Sequence, residues 1–315
     1  MNLNSELKNV KSVAITGHIR PDGDCVGSTM AAYLYITKNM PDIDVHIYLE
    51  KPSSVFGCIK DIEKIENPKG VDKVFDAVIC LDTVKSRTGD AEHIFDKALK
   101  KICIDHHITN DGSEGDVNYI RPEASSASEM LYECLDKDGI DLEIAKALYI
   151  GIIHDTGVFQ YSNVSPLTLN IAADLIGYGF DFPTIIMETF YEKTYLQSQI
   201  MGRVLSESLM VMDGRVSVGH VDQKMAKFYN SFPYDYDGIV NALKQIKGVD
   251  VAIFMHELPD HKYKVSLRST DKIDVSKVCE YFGGGGHKKA AGVVMEGNFY
   301  DVVNNLTAQI ARQYD

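Results

Sequence analysis

Ser12-Val-Ala-Ile-Thr16-Gly17-His18-Ile19-Arg20-Pro21-Asp22-Gly23-Asp24 passes from a short apolar run directly into a loop carrying one histidine and two carboxylates. Ser12–Thr16 reads as a buried strand, and 29–39 as the helix that follows it. Residues 45–49, 77–81 and 101–104 read as three more short strands. Between them lie amphipathic stretches, the alternation expected of βαβ units around a parallel sheet. A Ser126-x-x-Glu129 capping-box pattern starts a helix running to about Asp136. Further helices are expected over 143–153 and 166–176, the latter stopped by Gly177 and Gly179.

Downstream, 190–208 is helical, polar and poor in glycine, and reads as a connector between an N-terminal domain (1–189) and a C-terminal one (209–315). The segment from Leu209 to His220 looks like two strands joined at Asp213-Gly214. Residues 249–257 and 263–268 read as a strand pair, with helices over 275–281 and 299–314. The expected fold class is therefore α/β, a parallel-sheet domain flanked by helices followed by a smaller mixed α/β domain.

Acidic and histidine residues stand just beyond apolar runs in four places: His18/Asp22/Asp24, Asp82, Asp105-His106-His107, and His154-Asp155. In an open parallel sheet, ligands bind in the crevice outside the carboxyl ends of the strands. Three of these groups follow expected strands and one follows a helix, so all four can converge. Taken singly, an Asp-x-Asp is usually a turn or cap, and an Asp after a strand usually caps the next helix. Together they point to a metal centre, because packed carboxylates repel one another unless a cation compensates. Oxygen-rich shells with some imidazole suit Mn²⁺, Mg²⁺ or Fe²⁺ better than zinc. Two such ions about 3.5–4 Å apart can activate a shared water as hydroxide and clamp both oxygens of a phosphoryl transfer. Gly23 and Gly27 are read as letting the loop turn so that Asp22 and Asp24 face one site.

Composition bounds the partners. The 315 residues are 45% hydrophobic and 24% charged with a net charge of −13, which argues against coating long nucleic acid. No apolar run approaches the ~20 residues of a membrane span, and Met1–Lys11 lacks the character of a signal peptide. The six scattered cysteines read as buried, reduced thiols. A cytoplasmic location and a small phosphorylated substrate are expected, and the reading leaves room for a homodimer.

His18-x-x-x-Asp22-x-Asp24, Asp82, Asp105-His106-His107 and Asp155 resemble the motifs of the DHH phosphoesterase superfamily. The resemblance implies one ion on His18, Asp22 and Asp82 and another on Asp24, Asp82, His106 and Asp155, with Asp82 bridging. It places His107 toward the scissile phosphate and leaves Asp105 to support the neighbouring histidine. In the second domain, Gly283-Gly-Gly-Gly-His287-Lys-Lys costs backbone entropy and is read as filling no core. The run lets another molecule approach the backbone and offers N–H groups to an anion. Arg268, at the end of Ser266-Leu-Arg-Ser269, can clamp a phosphate. This pairing resembles the DHH-associated C-terminal domain of oligoribonucleases. Arg268, Ser269, Gly284, Gly285, Gly286 and His287 are thus the expected substrate-binding residues. The resemblance implies hydrolysis of short oligoribonucleotides to mononucleotides, and of 3′-phosphoadenosine 5′-phosphate, by the compact two-domain branch. Cyclic or linear dinucleotides are the alternative substrates, and a non-catalytic nucleotide sensor is the alternative of another class. Arg87 is left open between contacting substrate and positioning its loop.

Overall fold

The computed structural model describes residues 1–314. The chain divides into two units, Met1–Glu192 and Lys193–Asp315. The first contains α1 (Leu3–Glu6), β1 (Ser12–Thr16), α2 (Gly23–Asn39), β2 (Asp44–Tyr48), β3 (Ile65–Glu66) and β4 (Ala77–Leu81). It continues through α3 (Glu92–Lys97), β5 (Lys100–Asp105), β6 (Val117–Ile120), α4 (Ala127–Cys134), α5 (Leu142–Asp155), α6 (Pro166–Ile176) and α7 (Phe182–Ile186). Its six strands pair in parallel in the order β3-β2-β1-β4-β5-β6.

Both faces of this sheet are covered, as a parallel sheet requires. Val13, Ile15, Ile79, Leu81, Ile102 and Ile104 point into the core built with α2, α4 and α5. Their neighbours Ala14, Val78, Cys80 and Cys103 point into a smaller cluster with Ile94 and Phe95 of α3. The two sets alternate because successive strand residues face opposite sides. The chain departs from the sheet centre in both directions, so the crevice opens between the carboxyl ends of β1 and β4.

Four sequence expectations change here. Helix α2 begins at Gly23 and not Thr29, because the Asp22 side chain accepts the N–H groups of Asp24 and Cys25 and caps it. Gly23 and Gly27 therefore lie within a helix and do not make a turn. A Cβ on Gly27 would lie 2.6 Å from Ala147 O and 2.7 Å from Gly151 N, so this glycine lets α2 cross α5 closely. Strands β3 and β6 carry no clear sequence cue, the first having two residues and the second a half-exposed edge without alternation. Ser126 caps α4 by accepting from Glu129 N, but the Glu129 carboxylate completes no capping box and turns to Ser125, Thr168 and Arg121.

The second unit contains α8 (Tyr195–Ser206), β7 (Leu209–Val211), β8 (Val216–Val221), α9 (Gln223–Tyr229), α10 (Ile239–Lys244) and β9 (Val251–Leu258). Then follow β10 (Lys262–Ser269), α11 (Val275–Tyr281), β11 (Gly285–His287), β12 (Ala290–Glu296) and α12 (Phe299–Ala311). The strands form a mixed sheet, β11-β12-β10-β9-β8-β7, in which only β8 and β9 run parallel. Helices α11 and α12 cover one face. On the other, Ile200 and Val204 of α8 pack with Ile239 and Leu243 of α10 over Val221, Ala252 and Phe254. The Asp213-Gly214 turn joins β7 to β8, with Met212, Asp213 and Gly214 all at positive φ.

Candidate active site

Asp82 directly follows β4 and adopts φ +58, a left-handed conformation that aspartate tolerates better than most side-chain-bearing residues. The residue is 2% exposed, and the other groups gather around its carboxylate. His18 Nε2 lies 3.4 Å from Asp82 Oδ2 and 3.6 Å from Asp22 Oδ1. His106 Nε2 lies 3.3 Å from Asp82 Oδ1, 3.2 Å from Asp155 Oδ2 and 4.0 Å from Asp24 Oδ2. The other ring nitrogen of each histidine meets a backbone carbonyl: His18 Nδ1 to Ile19 O at 2.8 Å, His106 Nδ1 to Ala124 O at 3.3 Å. Such bonds fix the ring so that Nε2 faces the acidic cluster.

The His-Asp pairs do not balance the charge. Burial, reinforced by Asp82, pushes Asp24 up to about 7, and burial with Asp24 pushes Asp155 well above the usual carboxylate range. For His106, burial acts downward but Asp82 and Asp155 outweigh it, raising the imidazole to about 10. Burial likewise opposes the charge on Asp22, yet His18 holds that carboxyl down to about 2. Carboxylates thus outnumber imidazoles here, and their mutual repulsion adds to burial in raising Asp24 and Asp155. One oxygen, Asp82 Oδ1, is buried and accepts no hydrogen bond although two imidazoles are near. A buried acceptor left in this way is costly unless something else binds it. Three groups of donor atoms each lie within 4.8 Å of one another: His18/Cys25/Asp82, Asp82/His106/His107, and Asp24/His106/Asp155. Imidazoles and carboxylates converging on an orphaned oxygen are a donor set that fits divalent cations.

Asp105 stands apart from this cluster. It is fully buried, with Oδ1 2.7 Å from His107 Nδ1 and Oδ2 accepting from Asn110 Nδ2 at 2.8 Å. Burial opposes its charge, but His107 and Asn110 keep its carboxyl below the usual range. His107 is thereby oriented with Nε2 directed away from Asp105. Asp155 is the last residue of α5, and Gly157, Val158 and Phe159 follow at positive φ, a strained left-handed turn that redirects the chain at once. As for Arg87, its carbonyl accepts from Ile19 N at 2.9 Å, so its backbone ties the loop after β4 to the loop after β1.

In the second unit, paired strands bring the expected substrate residues into rows. Arg268 opposes Ala290, which opposes His287, and Ser266 opposes Gly292, which opposes Gly285. Directly opposed residues share a face, so Arg268 and His287 flank a floor of small residues on the face that α8 and α10 leave open. The glycine run is partly strand, since Gly285–His287 pair with β12. Gly283, at φ +79, terminates α11, and a Cβ on Gly284 or Gly286 would lie within 2.6 Å of β12 atoms. Packing explains Gly284 and Gly286, and the left-handed backbone explains Gly283; Gly285 faces open space. Ser269 also has a different position from the one expected, since its hydroxyl turns inward to the carbonyls of Ile273 and Lys288.

Residues 12–152 match the model of the DHH family, N-terminal domain, and residues 226–313 that of the DHHA1 domain. The probable bifunctional oligoribonuclease and PAP phosphatase NrnA of Streptococcus mutans is 30% identical over 312 residues, covering 96% of this chain and 94% of that protein. The chain belongs to the DHH family. The bifunctional oligoribonuclease and PAP phosphatase NrnA of Thermus thermophilus is 25% identical, over 98% of this chain and 91% of its own. An exopolyphosphatase-related protein from Bacteroides fragilis shares the fold at a TM-score of 0.89 and 23% identity, covering 99% of this chain and 96% of that one.

Within this DHH-family site, several contributors had no clear sequence signal. Ala127 N and Ser128 N, at the start of α4, donate to Asp24 Oδ2 and Oδ1 at 2.6 and 3.0 Å. Cys25 reaches the His18 side, while Asn110 braces Asp105. His154 packs against Gly23, where a Cβ would lie 2.1 Å from its ring, between the edges of Phe56 and Phe190. Burial lowers its pKa to about 4. Because the unfolded chain takes up that proton near pH 6.5 and the folded one only near 4, stability is lost as pH falls across this window. Urea titrations of wild type and His154→Gln are expected to diverge by up to about 3 kcal/mol from pH 7 to 4, wild type losing more. Parallel profiles would refute the assignment.

No helix among the described residues is long and apolar enough to cross a membrane.

Proposed function

We propose that the protein hydrolyses phosphoester bonds in short oligoribonucleotides, releasing mononucleotides, and in 3′-phosphoadenosine 5′-phosphate. The observation that carries the reading is the cluster around Asp82, with its buried, unbonded oxygen at the mouth of the parallel sheet. In this reading His18, Asp22 and Asp82 hold one divalent ion and Asp24, Asp82, His106 and Asp155 the other, Mn²⁺ fitting the donors best and Mg²⁺ or Fe²⁺ being the alternatives. When bound, the ions supply Lewis acidity and a water acidic enough to act as nucleophile near neutral pH. The backbone N–H groups of Ala127 and Ser128 donate to the Asp24 carboxyl and fix its orientation. Asp105 fixes the His107 ring, and His107 donates a hydrogen bond or a proton to the phosphate oxygen that gains charge. Arg268 and His287 bind a second phosphate, while Gly285 lets a nucleotide lie against the strand.

A substrate panel in Mn²⁺ tests the reading: 3′-phosphoadenosine 5′-phosphate, linear and cyclic dinucleotides, RNAs of increasing length, and pyrophosphate. The expected order places dinucleotides and short RNAs above long strands. Preference for the cyclic dinucleotide would replace the substrate, and the absence of any metal-dependent turnover would overturn the proposal. Arg268→Ala is expected to raise KM by about 10–100-fold with little change in kcat, because charged hydrogen bonds to a non-reacting phosphate bind ground and transition state alike. Gly285→Ala is expected to keep the fold and raise KM, whereas Gly286→Ala, set against Ala290 O, lowers stability. Thermal melts with steady-state kinetics separate the two outcomes.

A further inference from the structure

We propose that Cys25 is a thiol ligand of the ion held by His18, Asp22 and Asp82, so that the two ion sites differ in their preference for soft metals. This rests on the reading of the cluster as a divalent-ion centre. Cys25 occupies the first turn of α2, next to the Asp22 cap. Its Sγ shares a 4.8 Å neighbourhood with ligand atoms of His18 and Asp82. A Cβ on Gly17 would lie 2.3 Å from that sulfur. Only the bare backbone of glycine at the end of β1 admits the thiol there, which seats it at the floor of the crevice. Asp82, the acid common to both sites, turns its Oδ2 to His18 at 3.4 Å and its buried, unbonded Oδ1 to the His106 side.

The alternative is that Cys25 acts as a small apolar residue, for it is fully buried within the main core. The two roles predict different chemistry. One imidazole, two carboxylates and a thiol favour Zn²⁺, Cd²⁺ or Co²⁺ more strongly than do His106, Asp24, Asp82 and Asp155, which offer only nitrogen and oxygen. On binding, the thiol proton is released to solvent and the sulfur coordinates as thiolate. Among the described residues, no other cysteine joins such a group.

Co²⁺ titration of the full-length, metal-stripped protein decides the matter by absorbance. The expected result is visible d–d bands accompanied by a near-ultraviolet sulfur-to-cobalt charge-transfer band, the latter lost in Cys25→Ser while the former persist. Cd²⁺ affinity is expected to fall at least about tenfold in that variant, with Mn²⁺ affinity changing far less. Wild-type d–d bands without charge transfer would overturn the role of Cys25 and leave the ion centre standing, whether or not the variant folds. A charge-transfer band surviving in folded Cys25→Ser, or equal losses of Cd²⁺ and Mn²⁺ affinity, would also overturn it. Absence of any Co²⁺ binding by wild type would remove the ion centre itself.

Discussion

Asp82→Asn is expected to reduce Mn²⁺-dependent hydrolysis of a dinucleotide by about 10³-fold or more in kcat/KM. The substitution keeps the shape of the side chain but removes the charge facing His18 at 3.4 Å and His106 at 3.3 Å. Every other acid in the cluster belongs to one side of it, whereas Asp82 faces both, so one change weakens both proposed ion sites. Loss of several kcal/mol of charge stabilisation corresponds to the stated factor, at about 1.4 kcal/mol per decade. Binding to the native state alone stabilises a protein by about 2.7 kcal/mol at a ligand concentration a hundred times Kd. Mn²⁺ should therefore raise the wild-type Tm by roughly 5–10 °C, and this rise should largely vanish in Asp82→Asn. A variant retaining activity within tenfold of wild type would show that the reaction centre lies elsewhere.

Much of this was legible in the sequence because the cues were local. Strands β1 and β4 announce themselves as short apolar runs, and the acids stand immediately after them at positions the sheet order makes adjacent. What was hidden depends on partners distant in sequence. Cys25 reads as a buried thiol and is one, but its place beside His18 depends on α2 beginning at Gly23 and not at Thr29. Once Asp22 caps the chain, the first turn carries the sulfur to the strand end. Gly284 and Gly286 read as free of packing because the strand they touch, β12, lies downstream and the pairing has no local cue. The same blindness applies to Ser269, whose inward hydrogen bonds to Ile273 and Lys288 depend on how the next loop returns.

Gly27 is the sharpest instance, and its replacement is expected to be the most damaging change away from the acidic cluster. A Cβ there would meet Ala147 O at 2.6 Å, Gly151 N at 2.7 Å and Gly151 Cα at 2.9 Å. All three are backbone atoms of α5, so no side chain can rotate aside and the helices must part. Overpacking of this kind costs about 1–3 kcal/mol or more, set against a gain of about 1 kcal/mol in helix propensity from glycine to alanine. Gly27→Ala should therefore lower Tm by several degrees. Gly202→Ala is the matched control: it lies in α8 with nothing near its would-be Cβ, so propensity acts alone and Tm should rise slightly. The functional loss should exceed the loss of stability. Helix α2 carries Asp22 and Asp24 and α5 carries Asp155, while Gly151 faces Asp24 Oδ1, from which a Cβ would stand 2.7 Å away. Separating the helices moves acids assigned to one ion away from each other. Mn²⁺ affinity of the folded Gly27→Ala protein, measured by calorimetry well below its Tm, should then fall by about tenfold or more. If Tm drops but Mn²⁺ affinity is unchanged, the helix crossing serves packing alone and the alignment of Asp24 with Asp155 is maintained by other contacts.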